Sequence, residues 1–295
     1  MKIIAALKLT LFLVLLCPSV FAGTVSCSHP ELCKLVSTIA AENHIANLNT
    51  QVLINMTGDP HEYEPSTAEI KSLLSAPFLI TGPAELNPWI KKINFQRSKN
   101  SALITLSLPF EKKHLDMYPK ASAETLSHFW LYPKVYCAFK EKLTAELTKT
   151  GEKVSFKGCD AVTVEEELSK QLKKTKAPLI LTHDALLPLL VSLDPSHVIV
   201  AIKGSGHHEE VGTDAIKKMY KALEAPKAIW IVESGIYVPS NVLNKIRNVD
   251  LVIKLDTANS SSSTSFSVLK ELTQKLKTEG TAEGTTKGTT KGISR

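Results

Sequence analysis

Beyond one apolar stretch near the N-terminus, no part of this sequence approaches the roughly 20 consecutive apolar residues that a membrane-spanning helix needs. That absence excludes a chain built of transmembrane helices. There is no Cys-x-x-Cys pair, which argues against a thiolate metal site, and no His-Glu-x-x-His, the pattern by which a helix presents zinc ligands with a general base. Charge of one sign is also scarce in excess: 35 Lys and Arg against 29 Asp and Glu give a net charge of +6. The lysines are scattered rather than collected on one face, so nothing points to nucleic acid. With 43% hydrophobic and 22% charged residues, the chain is not disordered throughout, and its 295 residues suffice for two lobes of roughly 120 to 140 residues each.

The one apolar stretch is the core of a leader. Lys2 and Lys8 flank the start of Met1–Ala22, Leu9–Leu16 is apolar, and Val20-Phe21-Ala22 offers a small residue for cleavage. This reads as a secretory signal peptide, which directs the mature chain to the periplasm in soluble form. Lipidation at Cys17 or Cys27 is the weaker alternative, because Leu16 is too large to precede a lipidated cysteine and Cys27 falls in a strand-like run. Removing the leader takes away two lysines and no acid, so the net charge falls from +6 to +4 (6 minus 2). Cys27, Cys33, Cys137 and Cys159 remain. In an oxidising compartment they invite disulfides, in any of three pairings, with Cys27 and Cys33 the local candidates.

From Gly23 onward short apolar runs alternate with longer amphipathic ones. Strand-like runs are Thr24–Ser28, Gln51–Met56, Phe78–Thr81, Ala102–Leu106, Leu179–Thr182, His197–Ile202, Ala228–Val232 and Leu251–Leu255. Helical patterns lie between them: Pro30–Ala41, Ala68–Leu74, Leu86–Ile93, Val135–Leu147, Asp214–Leu223, Asn241–Ile246 and Ser265–Lys277. This alternation predicts an α/β fold of two Rossmann-like lobes with parallel sheets covered by helices. Between the halves, Val162–Lys174 places Val164, Leu168 and Leu172 on one face, glutamates early and lysines late, in accord with the helix dipole. It is the natural connecting helix, stopped by Pro178. The expected organisation is therefore leader 1–22, first lobe 23–160, connector 161–177, second lobe 178–277 and a disordered tail 278–295 that repeats Gly-Thr-Thr-Lys.

Four side chains stand out as metal ligands because each sits on a loop at or beyond a strand end. His61 lies in Gly58-Asp-Pro-His-Glu-Tyr-Glu-Pro-Ser66, after an apolar run that Gly-Asp-Pro terminates, and Ser66 or Thr67 caps the next helix. His128 lies in Leu-Ser-His-Phe-Trp-Leu-Tyr-Pro-Lys, His183 in Leu-Ile-Leu-Thr-His-Asp-Ala, and Asp256 in Val-Ile-Lys-Leu-Asp-Thr-Ala-Asn. Two come from each half. Imidazoles converging with one carboxylate suit tetrahedral zinc, and the cation offsets the cost of burying the carboxylate. Gly204-Ser-Gly-His-His-Glu-Glu210 offers His207 and His208 as an auxiliary site, against the simpler reading of a solvated turn. His29, His44, His114 and His197 read as packing or surface residues, and Glu233 as structural at a strand end.

The Gly58–Ser66 string, Gly82-Pro-Ala-Glu-Leu-Asn-Pro-Trp89, His-Phe-Trp-Leu, Thr182-His-Asp-Ala185 and the terminal Leu255-Asp256 occur in the order found in the solute-binding proteins of zinc and manganese ABC importers. The chain resembles that ZnuA/TroA-like family from about Val25 to Leu276. The resemblance implies that His61, His128, His183 and Asp256 hold a metal in a cleft between two lobes joined by one long helix. It also implies a monomer that passes its cargo to a permease in the inner membrane. The chain departs from the family where aspartates usually flank the second histidine motif, having Ser127 and Tyr132 instead; its connecting helix is shorter, and the acidic histidine-rich loop of the zinc branch is missing. The cargo implied is Zn2+, with Mn2+ or Fe2+ as the alternative, since three imidazoles favour zinc over manganese. A metal-binding adhesin on the same fold is a second reading. A zinc hydrolase is disfavoured because a complete three-His, one-Asp shell leaves no open position for water.

Overall fold

The computed structural model describes residues 24–45, 48–54, 61, 63–204, 211–233, 240, 242, 249, 251–255 and 266–281. The leader, His207, His208, Asp256, all but Val242 of the helical pattern at Asn241–Ile246 and the tail beyond Thr281 lie outside the described residues. The first lobe runs β1 (Thr24–Cys27), α1 (Pro30–Glu42), β2 (Asn49–Val52), α2 (Thr67–Ser75), β3 (Phe78–Thr81), α3 (Ile90–Arg97) and β4 (Ile104–Ser107). Short helices α4 (Lys112–Met117) and α5 (Ala123–Leu126), a 3-10 turn (Phe129–Leu131) and α6 (Pro133–Lys149) lead to α7 (Ala161–Lys174). The second lobe follows with β5 (Leu179–His183), α8 (Leu187–Leu193), β6 (Ile199–Lys203), α9 (Thr213–Leu223), β7 (Ile229–Glu233), β8 (Leu251–Leu255) and α10 (Ser267–Thr281).

All pairings are parallel, and the two sheets repeat one topology, β2-β1-β3-β4 and β6-β5-β7-β8. In each, the chain leaves the first strand to one side and returns on the other, so a crevice opens at the carboxyl ends of β1 and β3, and again at β5 and β7. The expected α/β architecture of two parallel-sheet lobes is thus found. Its physical basis is the two-residue period of a strand. Phe78 and Ile80 enter one core while Leu79 enters another; Leu179 and Leu181 are likewise separated from Ile180.

That period divides the apolar residues into three clusters with unequal roles. Ile54, Leu73, Leu79 and Ile93 fill the outer face of the first sheet, and Ile180, Val200, Ile202 and Met219 fill the outer face of the second. The inner faces share one continuous core, which runs from Val25 and Phe78 through Phe129, Phe139 and Leu168 to Leu181 and Leu272. Helix α7 lies within it, burying Val164, Leu168 and Leu172 against α6 and α10. Polar ties cross the same junction. Tyr118 donates its hydroxyl to Glu165 on α7, Lys134 pairs with Glu165 at 2.8 Å, and Tyr132 donates to the Ala185 carbonyl at 2.6 Å. Disulfides join Cys27 to Cys33, across the turn from β1 to α1, and Cys137 on α6 to Cys159 just before α7.

Several boundaries differ from the sequence expectation. The second strand is Asn49–Val52 rather than Gln51–Met56; it lies at the sheet edge, where little apolar surface is needed, and the buried Ile54 follows it. Helix α3 begins at Ile90, not Leu86, because Asn87 and Pro88 are held in turns before it. Helix α6 begins at Pro133, which has no N–H to lose at a first helical position. Helices α4 and α5 were not expected, since segments of four and six residues are too short to display a helical period. Helix α10 continues past Lys277 to Thr281.

Tyr132 is fully buried, so Tyr132→Phe strands the Ala185 carbonyl without its donor. We expect a loss of about 1–3 kcal/mol in stability, read by urea unfolding. An unchanged unfolding midpoint would show that the junction does not depend on this bond.

Candidate metal centre

Where the carboxyl ends of the strands meet the lobe junction, the structure brings three of the four predicted ligands together. His61 follows β2, His128 precedes the 3-10 turn that leads into α6, and His183 ends β5. All three are buried, with 5%, 3% and 2% of their surface exposed, so none is a surface histidine. The His61 and His128 rings lie 4.8 Å apart centre to centre, and those of His128 and His183 5.7 Å apart, both edge to face. The His128 ring meets both of the others. As the rings stand, no three His, Cys, Asp or Glu side chains among the described residues are arranged to hold a metal ion. Asp256 lies outside those residues.

Each ring is fixed by local chemistry. His128 Nδ1 lies 3.3 Å from the Thr125 carbonyl, which only accepts, so Nδ1–H donates and Nε2 carries the lone pair. Ser127, in place of a flanking aspartate, sets its hydroxyl 3.4 Å from His61 Nε2 while donating to the Glu124 carbonyl at 2.5 Å. Tyr132, in place of the other, ties the two lobes through Ala185. His183 Nδ1 has two neighbours: the Ala185 amide at 3.3 Å, which donates, and Glu233 Oε2 at 3.8 Å, which accepts. Its Nε2 lies 3.7 Å from Asp184 Oδ1. Glu233 ends β7 with 1% exposure, its amide donating to Thr182 Oγ1 at 2.9 Å.

The electrostatics favour a neutral ring at His128. Burial, then the neighbouring His61 and His183, pushes the His128 pKa well below the ordinary histidine value. Neutral imidazole is the metal-binding form, so a ring that resists protonation is a better donor. Buried carboxylate at Glu233 carries a high cost unless a cation or hydrogen bonds compensate.

Sequence reasoning missed His29 as a neighbour of this cluster. It lies just past β1 with 1% exposure, its ring stacked on Trp130 at 4.6 Å, and the Trp130 ring meets His128 at 5.4 Å. Burial, then Lys34, brings its pKa down to about 3. The available signal was positional: a hydroxyl residue and a histidine end the first strand-like run of each half, Ser28-His29 and Thr182-His183. The other histidines set aside serve local structure, with His114 accepting from the Glu111 amide and His197 lying 3.0 Å from the Ala177 carbonyl.

Two parallel-sheet lobes sharing one core, with buried histidines from both at their junction, define the class of bilobed α/β binding proteins. The family model for zinc-uptake complex component A, periplasmic (ZnuA), matches residues 25–279, and the chain belongs to that family. Among solved structures it is similar to the laminin-binding protein Lmb of Streptococcus agalactiae, described as having adhesin and metal-transporting activity. That likeness has 15% identity and a TM-score of 0.61, over 88% of this chain and 98% of that one. It is similar to the periplasmic zinc-binding protein TroA of Treponema pallidum at 11% identity and a TM-score of 0.57, over 86% and 96% of the two chains. It is also similar to Fe(III)-bound YtgA of Chlamydia trachomatis at 14% identity and a TM-score of 0.56, over 86% and 97%. No curated protein sequence matches significantly. Members of the family are extracytoplasmic solute-binding proteins, not enzymes; they bind metal ions and work with ABC importer permeases. No helix among the described residues is long and apolar enough to cross a membrane.

Two rings held neutral by burial make stability depend on pH in a defined direction. His29 and His128 have folded-state pKa values below the unfolded value of about 6.5, so the unfolded chain binds more protons and stability falls as pH drops from about 6.5 toward 3. The metal-free protein should lose about 3 kcal/mol between pH 6.5 and 5, because the slope for each ring grows from half of about 1.4 kcal/mol per pH unit at pH 6.5 to nearly all of it at pH 5. Urea unfolding at the two pH values measures this, and equal stabilities would show that the rings are not buried in neutral form.

Proposed function

We propose that this protein captures a divalent transition metal, zinc in the first place, in the periplasm and delivers it to the permease of an ABC importer. The ligands are His61, His128, His183 and Asp256. The observation that carries this reading is the cluster of three buried imidazoles drawn from both lobes, with the Nε2 of His128 left as a lone-pair donor by the Thr125 carbonyl. In this reading the Glu233 carboxylate, 3.8 Å from His183 Nδ1, adds negative charge beside the ion. Membership of the zinc-uptake family supports the transport role, and the leader Met1–Ala22 supports secretion.

An imidazole-rich shell supports zinc over manganese, for which oxygen-rich shells are better suited; Mn2+ and iron remain the alternative cargoes, the latter in view of the likeness to YtgA. Likeness to Lmb supports a second reading, a metal-binding adhesin. Metal analysis of protein taken from its native compartment without added metal separates the cargoes, and a laminin-binding assay tests the second role.

His61→Ala and His183→Ala should each weaken zinc binding by at least about 100-fold, because each removes a direct ligand where even an outer partner is worth about 10- to 100-fold. Calorimetric titration checks this, and wild-type affinity in either variant would refute the ligand set. The shared core leaves little freedom for the lobes to swing apart, so zinc should change the radius of gyration very little. A contraction of several Å in solution scattering would contradict that expectation.

A further inference from the structure

The two disulfides stand in opposite surroundings. Cys27 and Cys33 belong to the core, with 0% and 5% of their surface exposed, and their bridge closes the turn from β1 to α1. In the folded chain that burial keeps thiols from both sulfurs. Cys137 and Cys159 are only half-buried, and their bridge ties α6 to the stretch that crosses toward α7. Cys159 lines a cavity of about 220 Å3, whose walls also carry Lys140, Lys157, Lys270, Glu42 and Asp160.

Exchange at a disulfide requires a thiolate to reach one sulfur, and it is faster where nearby positive charge favours thiolates. Both conditions are met at Cys159. The residue before it, Gly158, turns the chain in the left-handed region at φ +86°, and nothing lies within 4 Å of the place a side-chain carbon would occupy there. Backbone geometry thus leaves open space beside the sulfur. Three lysines face two carboxylates in the cavity, and one of those, Glu42, is already engaged by Lys140 at 2.6 Å. The crossing stretch is also held without the bridge. Asn43 exchanges two hydrogen bonds with the Ser155 backbone at 3.1 and 2.8 Å, Lys140 donates to the Gly158 carbonyl at 2.8 Å, and Val154 is buried. Opening the bridge therefore leaves the segment anchored.

We propose that Cys137–Cys159 is a thiol-exchange site that reacts with dithiols, whereas Cys27–Cys33 is a fixed bridge. One thiolate of the dithiol attacks Cys159 Sγ, the S–S bond breaks, and Cys137 departs with the electron pair as a thiolate. The second thiol then attacks the mixed disulfide and releases Cys159, closing the dithiol into its own disulfide. Two electrons pass from the dithiol to the two cysteines, and its two protons end on Cys137 and Cys159. This chemistry does not depend on the metal-binding reading.

The folded mature protein, treated with graded dithiothreitol and trapped with iodoacetamide, tests the assignment by peptide mass mapping. Cys137 and Cys159 should be labelled at least about tenfold faster than Cys27 and Cys33, with the near-ultraviolet circular dichroism of the folded state retained. With glutathione as the attacking thiol, the adduct should sit on Cys159 and the free thiol on Cys137. Lys157→Gln combined with Lys270→Gln should slow the reaction several-fold and reduce its dependence on salt. Equal labelling of all four cysteines, labelling only as the protein unfolds, a glutathione adduct on Cys137, or a rate indifferent to the lysine changes overturns the proposal. His61→Ala should react as the wild type does, so loss of the metal site and loss of the exchange site are told apart.

Discussion

Desolvation of imidazole is the constraint on which the centre depends. A histidine in water is protonated through the mildly acidic range, and a protonated ring neither binds metal nor tolerates burial beside another. Here the rings of His29, His61, His128 and His183 are withdrawn from solvent at the junction of two lobes, and burial is the leading cause of the depressed values at His29 and His128. The same burial brings the Glu233 carboxylate, 1% exposed, beside the His183 ring.

That burial is possible because the lobes are not separate globules. The outer face of each sheet is closed by its own helices, but the inner faces, α6, α7 and α10 form a single apolar body. Helix α7 is short for a connector, and its length matters less than its surroundings. Val164, Leu168 and Leu172 are packed on neighbours from both halves, while Glu165 receives Tyr118 and Lys134 from the first. Burial keeps the Tyr118 hydroxyl protonated, its pKa pushed upward, so it remains a donor to Glu165. Rings contributed from opposite lobes thereby keep their spacing without a hinge to close.

The repeated strand order gives two crevices of equal form and unequal chemistry. In both, a hydroxyl at the end of the first strand is tied to the backbone across the crevice and a histidine caps the next turn. One side-chain difference, Gly82 against Glu233, places a carboxylate beside the ring of His183 in the second crevice. The Cys27–Cys33 disulfide closes directly around Ser28 and His29, holding the first of these turns in place.

What the sequence determined by itself was the class of fold and most of the candidate site. Apolar runs of four or five residues alternating with amphipathic ones predict parallel sheets, because a strand buried on both faces must be apolar throughout and a parallel return requires a helix. His61, His128 and His183 were legible because each follows a break in such a pattern, and the order of their motifs resembles one family. Tertiary structure alone decided the rest. The second strand settled at Asn49–Val52 because an edge strand answers to pairing with β1 more than to its own hydrophobicity. His29 looked like a surface or packing residue until Trp130, about a hundred residues later in the chain, was found stacked on it. Ser127, Tyr132 and Glu233 likewise acquired their roles from partners distant in sequence. Local pattern reports which backbone a segment prefers, whereas desolvation, tautomer and ring contact are set by what the folded chain brings alongside.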